Sequence, residues 1–288
     1  MIEAILGSRE ADLGHGLIVR RSLPQAQRRM VGPFVFLDHA GPVTLQGPAA
    51  RQADVRPHPH IGLSTVSYLL SGTVMHRDSL GIEQAIRPGD VNWMTAGRGI
   101  SHSERFEDPQ AFAPPGLELL QAWVALPDEH EETEPAFAHH GVNSLPETEE
   151  HGVWRRLIAG EAWGQRSPVH THSPLFYMHT VMQTHAHVAL PAGYSERAAY
   201  VVHGALDSEG RHIGPGSLIV FGPASKAVIT ASEPSTVMLL GGEPVGPRFL
   251  WWNFVSSRKD RIEQAKADWQ AGRMALPPGD NAEFIPLP

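Results

Sequence analysis

The sequence predicts an all-β protein built as two tandem β-barrels with a short C-terminal helix. Three observations carry that reading. Short β-branched, aromatic and aliphatic runs alternate with turn residues, and 28 Gly and 25 Pro are scattered through the 288 residues. That pattern favours many short strands over long helices. One strand–turn–strand unit occurs twice: Y-L-L-S-G at 68–72 returns as Y-V-V-H-G at 200–204, and I-R-P-G-D-V-N-W at 86–93 returns as I-G-P-G-S-L-I-V at 213–220. A unit used twice implies two similar barrels. Helical periodicity is clear only near the end.

In chain order, L-I-V-R-R (17–21) and P-F-V-F-L-D (33–38) read as early strands, and 44–56 as a polar loop. T-V-S-Y-L-L-S-G (65–72) alternates with the period of a strand and turns at Gly72. Short strands follow at 75–78 and 84–86, then R-P-G-D turns the chain into V-N-W-M-T (91–95), and 117–126 closes the first half. Residues 128–150, with D-E-H-E-E-T-E and P-E-T-E-E-H, read as a solvated acidic connector. The expected domains are therefore 1–135, with the metal site described next, and 136–288, a metal-free barrel plus helix and tail. Second-half strands are expected at 173–182, 187–191, 198–204, 214–221, 226–230 and 236–242. For the helix, Ser257 and Asp260 have capping-box spacing. Ile262, Ala265 and Trp269 share a face, and Gly272 ends it. The terminal F-I-P-L-P is expected to pack on a barrel.

The bulk composition excludes several classes. There is no cysteine, hence no disulfide, thiolate site or Cys nucleophile. The net charge is −8 without a Lys/Arg block, which argues against direct nucleic-acid contact. No apolar run reaches the ~20 residues of a membrane helix, and the N-terminus lacks a signal-peptide pattern. A cytoplasmic protein is expected.

The chemistry concentrates between Pro57 and Phe106. His58 and His60 open this stretch, and His102 and Glu104 close it. An i, i+2 spacing on a strand points both side chains to one face. Two such pairs on facing strands give three imidazoles and one carboxylate around a point inside a barrel. That donor set suits one divalent ion such as Fe, Ni, Cu, Co, Mn or Zn, and on six-coordinate iron it leaves open positions for reaction. Counted from the shared turns, the four ligands fall on Leu190, Ala192, Ile229 and Ala231 in the second repeat. None is a ligand, so only the first barrel is equipped. His170/His172 and His185/His187 are off that register, and His139, His140 and His151 lie in the connector. No G-x-S-x-G, P-loop, dinucleotide fingerprint or H-E-x-x-H is present.

Taken together, F-L-D-H-A-G-P (36–42), H-P-H-I-G-L-S-T-V-S-Y-L-L-S-G (58–72) and P-G-D-V-N-W-M-T-A-G-R-G-I-S-H-S-E (88–104) resemble the pirin family of the cupin superfamily. The W-W-N-F-V-S-S segment and the terminal E-F-I-P-L-P resemble its bacterial members. The resemblance implies a bicupin of two jelly-roll domains, with iron(II) first among the candidate ions, bound by His58, His60, His102 and Glu104. It also implies quercetin 2,3-dioxygenase activity, in which O₂ opens a flavonol and carbon monoxide leaves. Glu104 is then the candidate base for the 3-hydroxyl proton, with Trp93 and Met94 as candidate pocket residues. The alternative that the family implies is a non-enzymatic, iron-binding, redox-responsive regulator acting through a protein partner. One departure stands out: many cupins and many pirins carry a Glu after the H-x-H, where this chain has Ser64.

Overall fold

A computed structural model describes residues 1–13, 16–45, 48–108, 111–223 and 225–288. Strands dominate, and the longest helix is Lys259–Gln270. No helix among the described residues is long and apolar enough to cross a membrane.

Two compact units share the chain, and neither is a continuous half of it. One comprises 11–19, 38–142 and 245–288; the other comprises 1–10, 20–37 and 143–244. The sequential division at 135/136 therefore differs from the packing in four places, one of them residues 20–37, which join the second unit. Ala136–His140, expected in the connector, pairs along Val91–Thr95 in the sheet of the first unit. Ile2–Gly7 pairs with Ser217–Phe221 of the second unit. The helix and tail join the first unit, where Trp269, Ile262 and Phe254 pack with Ile61. Each segment goes where an unpaired strand edge or an open apolar surface needs covering.

The repeat is real at the level of topology. In the first unit a four-stranded sheet runs Val55–His60, Ile100–Arg105, Val74–Asp78, Glu83–Ile86. In the second the order is His187–Ala189, Val228–Ala231, Leu206–Ser208, Arg211–Ile213. Both follow the chain as first, fourth, second, third. The larger sheets also correspond: Ala136–His140, Val91–Thr95, Leu63–Ser71, Leu117–Ala125 in one; Ile2–Gly7, Ser217–Phe221, Glu196–His203, Ser235–Gly242 in the other. A connector strand thus fills in one barrel the edge that the N-terminal strand fills in the other.

The interiors differ. The second unit is filled by an apolar cluster drawn from both its sheets, including Phe176, Leu239, Leu206 and Ile213. Leu190, Ile229 and Ala231, three of the repeat positions for the ligands, belong to that cluster, while Ala192 is exposed. In the first unit the corresponding cluster, with Leu69, Val74, Ile86 and Leu117, fills only part of the interior. The histidines lie in this unit as well, with the Trp123 and Phe137 rings against them.

Two local expectations are revised. The polar loop 44–56 contains a short helix, Pro48–Gln52. The capping box does not form: the helix starts after Arg258 with no side-chain cap, because the Ser257 hydroxyl donates to Glu131 at 3.1 Å. Glu131 is itself a buried connector residue that also accepts from Ser256 Oγ and Ser257 N. The expected face, Ile262, Ala265 and Trp269, is buried.

Candidate metal centre

His58 and Ile100–Arg105 meet in one antiparallel register, with His102 directly opposite His58 and His60 opposite Ile100. Directly paired residues present side chains to the same face, so three imidazoles converge. Their ring centroids are 4.4 Å (His58–His102), 5.0 Å (His60–His102) and 5.1 Å (His58–His60) apart. One ligand nitrogen from each lies within 4.8 Å of the others, and all three residues are buried. Among the described residues this is the one group of three such side chains; the pairs His170/His172 and His185/His187 form none.

The hydrogen bonds around the rings select their tautomers. His58 Nδ1–H donates to the Arg56 carbonyl at 2.9 Å, and His60 Nδ1–H to the Asn253 carbonyl at 3.0 Å. Each leaves Nε2 as the nitrogen with a free lone pair. His102 Nε2 is buried and has no hydrogen-bond partner. An orphaned, inward lone pair in a protein interior needs a partner, and backbone carbonyls on the opposite ring nitrogen are the usual support of a metal-ligating histidine. The residues present therefore fit a divalent ion bound through three Nε2 atoms. Burial reinforces this by disfavouring the imidazolium: His58 is lowered to about 4, and His60 and His102 fall well below the ordinary histidine value. Desolvation is the largest cause for each, and the neighbouring rings add to it for His60 and His102.

Glu104 lies next to the group rather than within it. The pairing to Val55–His60 shifts register between His102 and Glu104, which brings Glu104 opposite Val55 on one side and His76 on the other. Its Oε1 is 4.0 Å from His102 Nδ1, the side of that ring away from the orphaned nitrogen. Desolvation pushes its carboxyl up to about 7.

The site has residues that the sequence reading passed over. His76 and Asp78 repeat the i, i+2 spacing of the two recognised pairs and are both buried beside His102. A third ligand-type pair at that spacing was the available signal. One row of side chains across four strands faces the imidazoles: Trp123 pairs with Thr65, Thr65 with Met94, and Met94 with Phe137. Trp123 lies edge-on to His60 at 5.1 Å, and Phe137 stacks on His76 at 4.5 Å. Of the two pocket candidates, Met94 is in this row, whereas Trp93 pairs with Val66 and Ala138 on the opposite face. Ser64 also faces away and bonds Thr95 Oγ1 at 3.1 Å. The missing Glu at that position therefore leaves the site's lining unchanged.

The outer face of the ligand strand is also bound. Ser101 Oγ donates to the Ala275 carbonyl at 2.5 Å, Ser103 Oγ to Asp280 at 2.7 Å, and Arg105 pairs with both oxygens of Asp280 at 2.7 Å. Inward His102 and Glu104 thus alternate with outward tail contacts along one strand.

Paired jelly-roll units, one with three imidazoles converging inside it, define a bicupin. The comparisons with known proteins refine the class: residues 16–124 match the Pirin family and residues 177–275 match the Pirin C-terminal cupin domain. The chain belongs to the pirin family. It is 55% identical to a pirin-like protein of Caulobacter vibrioides over 289 residues, covering 100% of both chains. A crystal structure of quercetin 2,3-dioxygenase from Acinetobacter baumannii matches with a TM-score of 0.90 and 35% identity, covering 99% of this chain and 94% of that one. The bacterial pirin YhhW of Escherichia coli, in complex with nickel(II), has the same fold at 19% identity (TM-score 0.64, covering 85% of this chain and 100% of that one).

Proposed function

We propose that the protein is a metal-dependent dioxygenase that opens a flavonol such as quercetin with O₂. The observation that carries the reading is the convergence of three buried, neutral imidazoles beside a carboxyl held near 7. The likeness to the Acinetobacter quercetin 2,3-dioxygenase supports it. Bound by His58, His60 and His102, a divalent ion would supply a Lewis acid for the substrate's 3-oxygen. Imidazole donors accept several first-row ions, and iron(II) is the first one to reconstitute.

The chain's own residues do the rest. Glu104 removes the 3-hydroxyl proton, a task suited to a group that titrates near the working pH. With an ion bound, Glu104 would also be the candidate fourth donor beside the three histidines. The Trp123–Thr65–Met94–Phe137 row holds the flat aromatic body and excludes water. Both oxygen atoms of O₂ enter the opened product, and the ring carbon that bore the 3-hydroxyl leaves as carbon monoxide.

Anaerobic reconstitution with Fe(II), and in parallel with Ni, Mn, Co, Cu and Zn, followed by quercetin and O₂, tests this. Expected is one O₂ consumed and one carbon monoxide released per quercetin, lost in His58→Ala. No turnover with any of these ions would remove the flavonol reading.

A further inference from the structure

We propose that Asp78 and His76 form a buried relay that holds His102 in the tautomer whose Nε2 is free to ligate, which makes His76 a positioning residue for the metal. The hydrogens can be placed one after another. Asp78 is fully buried, and its Oδ1 accepts the backbone N–H groups of Leu80 and Ile82 at 2.9 and 3.2 Å. Its Oδ2 faces His76 Nε2 at 3.0 Å. A carboxylate only accepts, so His76 carries its hydrogen on Nε2 and presents a lone pair at Nδ1. That lone pair faces His102 Nδ1 at 3.4 Å. His102 therefore donates from Nδ1 and keeps its lone pair on Nε2, the atom left without a partner.

The relay replaces what backbone carbonyls supply elsewhere in the site. His58 and His60 are oriented by Arg56 and Asn253 carbonyls, whereas His102 has a histidine in that role. Such an acceptor is itself free to rotate unless something fixes it. His76 is fixed from two sides, by Asp78 and by the Phe137 ring stacked on it at 4.5 Å and 19°. Asp78 stands directly opposite His102 in the strand register, and Glu104 opposite His76. The relay thus runs diagonally between two adjacent cross-strand pairs.

The inference rests on the three histidines as a metal site and is independent of the flavonol. Nitrogen-15 spectra of histidine-labelled protein, metal-free and Zn(II)-loaded, read the tautomers directly. Expected are His76 with hydrogen on Nε2 and His102 with hydrogen on Nδ1. His76→Phe keeps a ring against Phe137 but removes the acceptor, and Zn(II) affinity should fall about 10- to 100-fold. His76→Gln, whose amide oxygen can accept from His102, should restore most of that loss. A residue that merely filled space would show the reverse order, with Phe tolerated better than Gln. Hydrogen on His102 Nε2 in the metal-free protein, or unchanged Zn(II) affinity in His76→Phe, would overturn the relay. If the wild type binds no Zn(II), the metal reading fails, and the metal-free spectra still decide the relay.

Discussion

His60 donates its Nδ1 hydrogen to the carbonyl of Asn253, 193 positions further along the chain, at 3.0 Å. One residue on, Ile61 and Phe254 form a parallel bridge, and Val255 N donates to the Ile61 carbonyl at 3.2 Å. The segment that supports this first-half histidine is therefore the tail that follows the whole second repeat.

Gly62 is where this support is most sensitive. Its φ is +67°, and a Cβ there would meet the Val255 carbonyl oxygen at 2.0 Å. Backbone atoms cannot yield as a side-chain tip can. Gly62→Ala should cost well above the ~1 kcal/mol of an unfavourable φ and weaken metal binding by displacing Asn253. Gly81→Ala is the control, with φ +84° and open space around the new Cβ. Urea unfolding of both variants should separate them clearly; equal losses would mean that φ alone matters.

Asp280 should be the key contact of the outer strap. Arg105 is about nine-tenths buried, and Asp280 engages it through both oxygens. Asp280→Ala leaves that guanidinium only Glu283 and Asp54, and removing one partner of a buried pair costs about 3 kcal/mol. The strand carrying His102 also loses its anchor at Ser103. Metal dissociation rates followed by chelator competition should rise together with the loss in melting temperature.

Glu104 should make stability fall as pH rises. Its carboxyl is raised from 4.5 to about 7 in the folded protein, so burial is without penalty below about pH 4.5 and the cost is complete above about pH 7. That cost is on the order of 3 kcal/mol. His58 has the opposite sign: lowered from 6.5 to about 4, it contributes stability above 6.5 that is lost as pH falls through 4. In metal-free protein, Glu104→Gln should match the wild type near pH 4.5 and become progressively more stable than it up to about pH 7. Parallel stability–pH curves for the two proteins would show that Glu104 is not raised.

In turnover assays, Glu104→Gln should lose about 10²- to 10⁴-fold in rate, the usual contribution of a general base. Loss of metal in the same variant, read by elemental analysis, would assign Glu104 to the ligand set as well.

Met94 and Trp93 should behave differently despite being neighbours. Met94 shares the row facing the imidazoles, and Trp93 does not. Met94→Ala should raise KM for an aromatic substrate about tenfold with metal content unchanged. Trp93→Phe should leave KM where it was.

The sequence by itself determined the strand-and-turn grammar, the duplication and the three histidines, because period-two spacing and P-G turns are local properties of the chain. The repeat register puts Leu190, Ala192, Ile229 and Ala231 at the positions of the four candidate donors; Leu190, Ile229 and Ala231 lie in the core of the second unit, and Ala192 is exposed. Tertiary structure alone decided what depends on which strand lies beside which. It sent Ala136–His140 to one barrel and Ile2–Gly7 to the other, since each sheet edge takes whichever strand the topology delivers. It turned Trp93 and Ser64 away from the site, put Glu104 beside the three-histidine group, and set His76 against His102. A cross-strand neighbour leaves no local mark, because register is a property of two segments and the sequence spells out only one at a time.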